Sequence, residues 1–311
     1  MTELLALSAI TFVAAIVNGA LGYGFSSLTV PMALLFMASR VLNPALVLIE
    51  VVLNAYVLFV NRDGLPQVWR RMLPLVIGLA PGVLIGTQLV ARVNPSWMKL
   101  ATFTCLLPLI LLQAAGYRRP FEWKRSFALG FGGALGVLYS VTTISGPPLA
   151  VLLSNQGYTK REFRAALGFV RVAESLMTAA AYAYVGLFTS TTLTLSLQIV
   201  PSLAIGVPLG VYLIRHIRTE AFRRVCMSFD AWVVAFGLSS LLRTLQLTTS
   251  AVAFALFGSV VAFDLWLLYR FFRSPRQPDD PAAGEAAAFR TEQPPRFGSR
   301  TSTPGNASPP G

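Results

Sequence analysis

The sequence predicts an all-α polytopic membrane protein, and three observations predict it. Hydrophobic residues make up 55% of the 311 and charged residues 12%, with a mean hydropathy of +0.63, so an ordinary polar surface cannot cover the chain. Apolar runs of about 15 to 25 residues recur along its length, which is what a hydrocarbon core of about 30 Å requires. The basic residues behind the net charge of +12 fall in short clusters between these runs. They form no basic, aromatic-interleaved face, which argues against a nucleic-acid partner.

In chain order the apolar segments are Leu4 to Gly19, Ser26 to Met37, Ala45 to Val60, Met72 to Val90 and Met98 to Ala115. A second set runs Ser126 to Tyr139, Pro147 to Leu153, Ala165 to Phe188, Leu193 to Ile214, Phe222 to Leu242 and Ala251 to Phe272. The first segment lacks the basic flank of a secretory signal and is expected to stay as a span. From Ser274 the composition turns to Pro, Gly, Ala and Ser without periodicity, which predicts a disordered cytoplasmic tail over 274–311.

Two segments are too short to cross: Ser26 to Met37 and Pro147 to Leu153. Each follows a glycine-rich step, "NGALGYG" and "GFGGALG", and the Pro147-Pro148 pair breaks helix by removing an amide donor. Irregular backbone at membrane depth is tolerated where protein or a water-filled cavity satisfies its amides. Short, glycine-interrupted segments in corresponding halves point to a transporter binding site.

The halves also match in sequence. Gly19-Ala20-Leu21-Gly22 recurs as Gly133-Ala134-Leu135-Gly136, and Gly82-Val83-Leu84-Ile85-Gly86 recurs as Gly206-Val207-Pro208-Leu209-Gly210, in the same order. Ordered matches of this kind mark an internal repeat. Basic clusters at Arg62 to Arg71, Arg118 to Arg125, Lys160 to Arg164, Arg215 to Arg224 and Arg270 to Arg276 mark cytoplasmic ends. With those ends inside, one glycine-broken pair starts and returns outside and the other inside. The expected fold is therefore two inverted-topology repeats with glycine-broken short helices at each repeat start. The boundaries are 1–116 for the first repeat, 117–123 for a cytoplasmic linker, 124–243 for the second repeat and 244–273 for an extra span. The N-terminus is then periplasmic and the C-terminus cytoplasmic.

"VNGALGYGFSSLTVPMALLF" and "GFGGALGVLYSVTTISGPPLAVLL" resemble the paired glycine-rich, proline-closed motifs of the TauE/SafE sulfite-exporter family. The resemblance covers roughly residues 5 to 272, with the usual glycine run thinned. It implies a secondary transporter that moves sulfite, sulfoacetate or another small organic anion across the bacterial inner membrane. The competing readings are a drug/metabolite-type exporter and a non-transporting membrane assembly or interaction protein.

Charged residues within spans are functional candidates, because lipid burial is costly unless they face a cavity or partner. Glu50 lies mid-span with Asn54 one turn later on the same face; Arg171 and Glu174 are spaced to meet on one helix; Asp230 is mid-span. For a small anion, Arg171 offers a permanent charge and up to five N–H donors. Asn18, Gly22, Gly24, Ser26, Ser27, Gly133, Gly136, Thr143 and Ser145 offer hydroxyl or amide donors and close backbone approach, and helix N-termini add partial positive charge. Glu50 or Glu174 is a candidate carrier of a coupling proton. The alternatives are an Arg171–Glu174 structural ion pair, Glu50 as a packing contact, Asp230 as a structural partner, and Asp264 at the membrane interface. An offset of 124 between repeats aligns Glu50 with Glu174, and one of 121 aligns it with Arg171.

Enzymatic chemistry finds no foothold. "GFGGALG" is not a GxGxxG motif, no GK[ST] step occurs, and the one histidine, His216, is expected to be solvated in a basic loop. Cys105 and Cys226 have neither a CxxC partner nor a metal set, and are expected to be small buried hydrophobes. No cofactor or metal is expected.

Overall fold

A computed structural model describes residues 2–114, 124–154, 156, 158–213 and 219–273. The linker 117–123, His216 and the tail 274–311 lie outside them. Contacts divide the chain into Met1–Tyr269 and Arg270–Gly311, and the packing below is that of the first unit.

The described residues are all-helical. In order they form α1 (Thr2–Leu21), α2 (Phe25–Ala33), α3 (Ser39–Val60), α4 (Leu65–Arg92), α5 (Pro95–Ala114), α6 (Arg125–Thr142), α7 (Gly146–Ser154), α8 (Lys160–Tyr184), α9 (Ser190–Leu213), α10 (Thr219–Thr244) and α11 (Ser250–Arg273). Each predicted apolar segment corresponds to one helix.

Both expected interruptions are present and have a backbone cause. Gly22 ends α1 at φ +80 and Gly24 precedes α2 at φ +104, conformations that glycine adopts without a Cβ penalty. The second break, between α6 and α7, is turned by Thr143, which ends α6 at φ +56. The nine-residue α2 and α7 are each about 13 Å long, too short to cross a hydrocarbon core of about 30 Å. α8 starts with a reciprocal cap: Thr159 Oγ1 accepts from the Glu162 N–H at 3.3 Å, and the Glu162 carboxylate accepts from the Thr159 N–H at 2.9 Å.

Six helical segments among the described residues are long and apolar enough to cross a membrane: Leu4–Leu21, Ser39–Val60, Arg62–Arg92, Ser190–Leu213, Arg224–Thr244 and Ser250–Arg273. The chain is a multi-pass membrane protein. α8 has the length but falls short in hydropathy because it carries Lys160, Arg161, Glu162, Arg164, Arg171 and Glu174. α5 supplies the shorter apolar stretch Pro95–Leu111.

Packing crosses between the first five helices and the next five. α4 lies along α6, α1 along α9, α3 along α8, and α5 along α10. Glycines set the first two seams. A Cβ on Gly82 would stand 2.1 Å from the Gly133 carbonyl oxygen, and one on Gly210 would stand 2.0 Å from that of Ile16. Backbones therefore touch where any side chain would push them apart. Gly146 begins α7 121 residues after Phe25 begins α2, and Lys160 begins α8 121 residues after Ser39 begins α3. This register aligns Glu50 with Arg171.

Two basic residues outside the five basic clusters, Arg40 and Lys99, close helix ends. Arg40 donates to the carbonyls of Val90, Ala91 and Val93 at 2.8–3.0 Å, and Lys99 donates to that of Leu34 at 2.6 Å. A cation at a helix C-terminus satisfies orphan carbonyls and opposes the negative dipole end. Asp264 is fully buried, on the inward stripe of α11 with Ala253, Val260 and Leu267. There its Oδ2 accepts from Trp232 Nε1 at 3.0 Å. One expectation changes: Cys105 is exposed on α5 and Cys226 half-buried, so neither free thiol is fully buried.

Candidate functional site

The short helices α2 and α7 bring their N-terminal ends together. A Cβ on Gly146, the first residue of α7, would sit 3.4 Å from the Tyr23 side chain just before α2. Around this junction stand α3 and α8, the crossing pair that carries the mid-span charges.

Glu50 is the best-connected group. Its Oε1 accepts from Ser26 Oγ of α2 at 2.6 Å and from Arg171 Nη2 of α8 at 2.7 Å. Its Oε2 accepts from Tyr139 Oη of α6 at 2.7 Å. One carboxylate thus joins four helices, and Glu50 and Arg171 are 0% and 3% exposed. Asn54 Nδ2 reaches the Arg171 carbonyl at 3.5 Å, and Ser175 Oγ donates to the same carbonyl at 2.7 Å.

The pairing differs from what i, i+3 spacing allowed. Among the described residues, Arg171 ion-pairs across helices with Glu50, while Glu174 accepts from Ser145 Oγ, directly before α7. The α3–α8 crossing places Glu50 opposite Arg171, so the interhelical contact wins over the intrahelical one. Among the described residues, Glu174 Oε1 and the Nε and Nη1 atoms of Arg171 have no hydrogen-bond partner.

Other candidates surround this centre or lie apart from it. Asn18 of α1 is buried with both side-chain amide atoms unpartnered, while its carbonyl accepts from the Gly22 N–H at 2.7 Å. Ser27 donates to the Gly24 carbonyl at 3.0 Å and lies against the carboxyl of Asp230 on α10, whose Oδ2 is unpartnered. Thr143 Oγ1 turns back to the Thr142 carbonyl at 2.7 Å. Gly133 and Gly136 face α4 instead: a Cβ on Gly136 would stand 2.5 Å from the Leu79 carbonyl oxygen. They serve the α4–α6 seam, where close approach is between helices.

Sequence reasoning missed Tyr139. Its signal was a hydroxyl-bearing aromatic three residues past Gly136 in an otherwise apolar helix, just before the break. Asn43, whose Nδ2 donates to the Val141 carbonyl at the end of α6 at 2.6 Å, was also missed.

The family model of the sulfite exporter TauE/SafE matches residues 7–237, a span that takes in the whole of this centre and ends before α11. No curated protein and no solved structure matches the chain.

Proposed function

The chain belongs to the sulfite exporter TauE/SafE family, and on that premise we propose that it is a permease exporting a small anion, sulfite or a small organic sulfonate or carboxylate, across the bacterial inner membrane. The observation that carries the reading is a guanidinium 3% exposed with Nε and Nη1 unpartnered, beside two adjoining helix N-termini. Such a position offers an oxyanion both fixed charge and donors. Asn18, Ser26, Ser27 and Ser145 add donors, and Gly22, Gly24 and Thr143 shape the breaks that admit the ligand. Glu50, Asn54, Glu174 and Asp230 handle a coupling proton or hold the frame.

Alternating access follows from two inverted repeats, with the N-terminus periplasmic and the C-terminus cytoplasmic. The crossed pairing of α4 with α6 and α1 with α9, and the 121-residue register, support this repeat assignment.

The test is sulfite flux in liposomes with Arg171→Gln and Arg171→Lys. Losing charge-assisted hydrogen bonds worth about 1.5–3 kcal/mol weakens binding about ten- to hundredfold. Unchanged flux in both variants removes Arg171 from the anion site, and no flux of any anion by folded wild type removes the transport reading.

A further inference from the structure

The centre holds more acid than base. Glu50, Glu174 and Asp230 are all buried, and among the described residues Arg171 pairs with Glu50. A buried carboxylate without a cation is strongly disfavoured in its charged form. Placement adds a second oddity. Ser26, which holds Glu50, lies in the first turn of α2, and Ser145, which holds Glu174, directly precedes α7. Both carboxylates thus occupy positions at helix N-termini where a bound anion is favoured.

The two are not held alike. Glu50 accepts from three donors, one of them a guanidinium. Among the described residues, Glu174 accepts from Ser145 alone and leaves Oε1 unpartnered. Resting on the anion-transport reading above, we infer that Glu174 is a resident competitor of the transported anion, which yields the Ser145 hydroxyl when it takes up a proton.

Once protonated, Glu174 no longer needs the serine as donor. Ser145 and the unpartnered N–H groups of Arg171 then turn to a sulfite oxygen. The proton comes from water on the side to which the site is open and returns to water on the other side, so one proton and one anion travel together. Binding therefore strengthens as pH falls.

The groups that set this titration are few. Arg171 lies on the same helix, Glu50 comes from α3, Tyr139 from α6 and Ser145 from the approach to α7. α4 packs along α8 but carries no ionisable side chain between Met72 and Ala91, and α7 carries none. Arg62 and Asp63 belong to the turn before α4, whose Gly64 meets α8 at Arg161 near its start.

The experiment compares wild type and Glu174→Gln for sulfite binding and liposome flux from mildly acidic to mildly alkaline pH. Sulfite itself titrates, so the readout is the ratio of variant to wild-type affinity at each pH, in which the substrate's ionisation cancels. That ratio is expected to rise about tenfold per pH unit on the alkaline side. In weak buffer, wild type takes up about one more proton per sulfite bound than the variant. A flat ratio, or equal proton counts, overturns the inference. If Glu174→Gln does not fold, Glu174→Asp replaces it: the shorter acid is expected to move the alkaline fall along the pH axis, and an unmoved fall overturns the inference. Wild type that neither binds nor moves sulfite at any pH fails earlier, at the anion reading itself, and takes the inference with it.

Discussion

Replacing Glu50 by Gln probes the central ion pair with little change of shape. The Gln carbonyl can take the position of Oε1 and keep Ser26 and Arg171, while its amide nitrogen donates to Tyr139 Oη in place of the 2.7 Å bond that Tyr139 now gives. What is lost is charge. A guanidinium 3% exposed is then left without its counter-ion, which costs about 3–5 kcal/mol. Arg171→Gln leaves the opposite charge buried and costs about the same. The double variant buries neither charge, so its cost is expected to fall well below the sum. The coupling energy is expected at about 3 kcal/mol, the upper end for contacting pairs. Reversible unfolding in mixed micelles, followed by tryptophan fluorescence, measures each corner of the cycle. A coupling below about 0.5 kcal/mol, as independent sites show, would refute the claim that these charges hold each other in the membrane.

Two further predictions concern glycine. Gly82→Ala and Gly210→Ala place a Cβ 2.1 Å and 2.0 Å from facing carbonyl oxygens and are expected to destabilise by about 1–3 kcal/mol or more. Gly258→Ala meets nothing within 4 Å and is expected to stabilise α11 by up to about 1 kcal/mol; equal thermal melting of the three variants would contradict the seam. Gly24→Ala, at φ +104, is expected to cost about 1–3 kcal/mol. A Gly24→Ala protein that melts with wild type would show that α2 does not need the left-handed turn.

Much of this architecture could be read from hydropathy, because spanning length and glycine interruption are local properties. Each apolar segment became a helix, and both short ones stayed short. Glycine was legible as a break but not by kind. Gly22 and Gly24 are needed for positive φ, whereas Gly133 and Gly136 are helical and needed for contact with α4. Letters alone do not separate these uses. The charged centre was legible as a set of residues but not as a set of bonds. Arg171 could reach Glu174 by local spacing, and which helix faces it depends on the α3–α8 crossing, a property of the packed bundle. The choice between offsets of 121 and 124 failed for a similar reason: the breaks and the glycine seams of the two sets of helices are out of step, and only helix starts reveal which register the charged spans follow.

The crossed seams also govern how the protein is made. Ile16 leaves the ribosome almost two hundred residues before Gly210, the glycine it packs against. The first helix must therefore wait in the bilayer, with its small-residue face against lipid, until nearly the whole bundle has been inserted. Closing so long a loop is slow. A chain that stops after α5 strands four helices at once: α1 lacks α9, α3 lacks α8, α4 lacks α6, and α5 lacks α10. The two halves supplied as separate chains have in each other the helix partners they need.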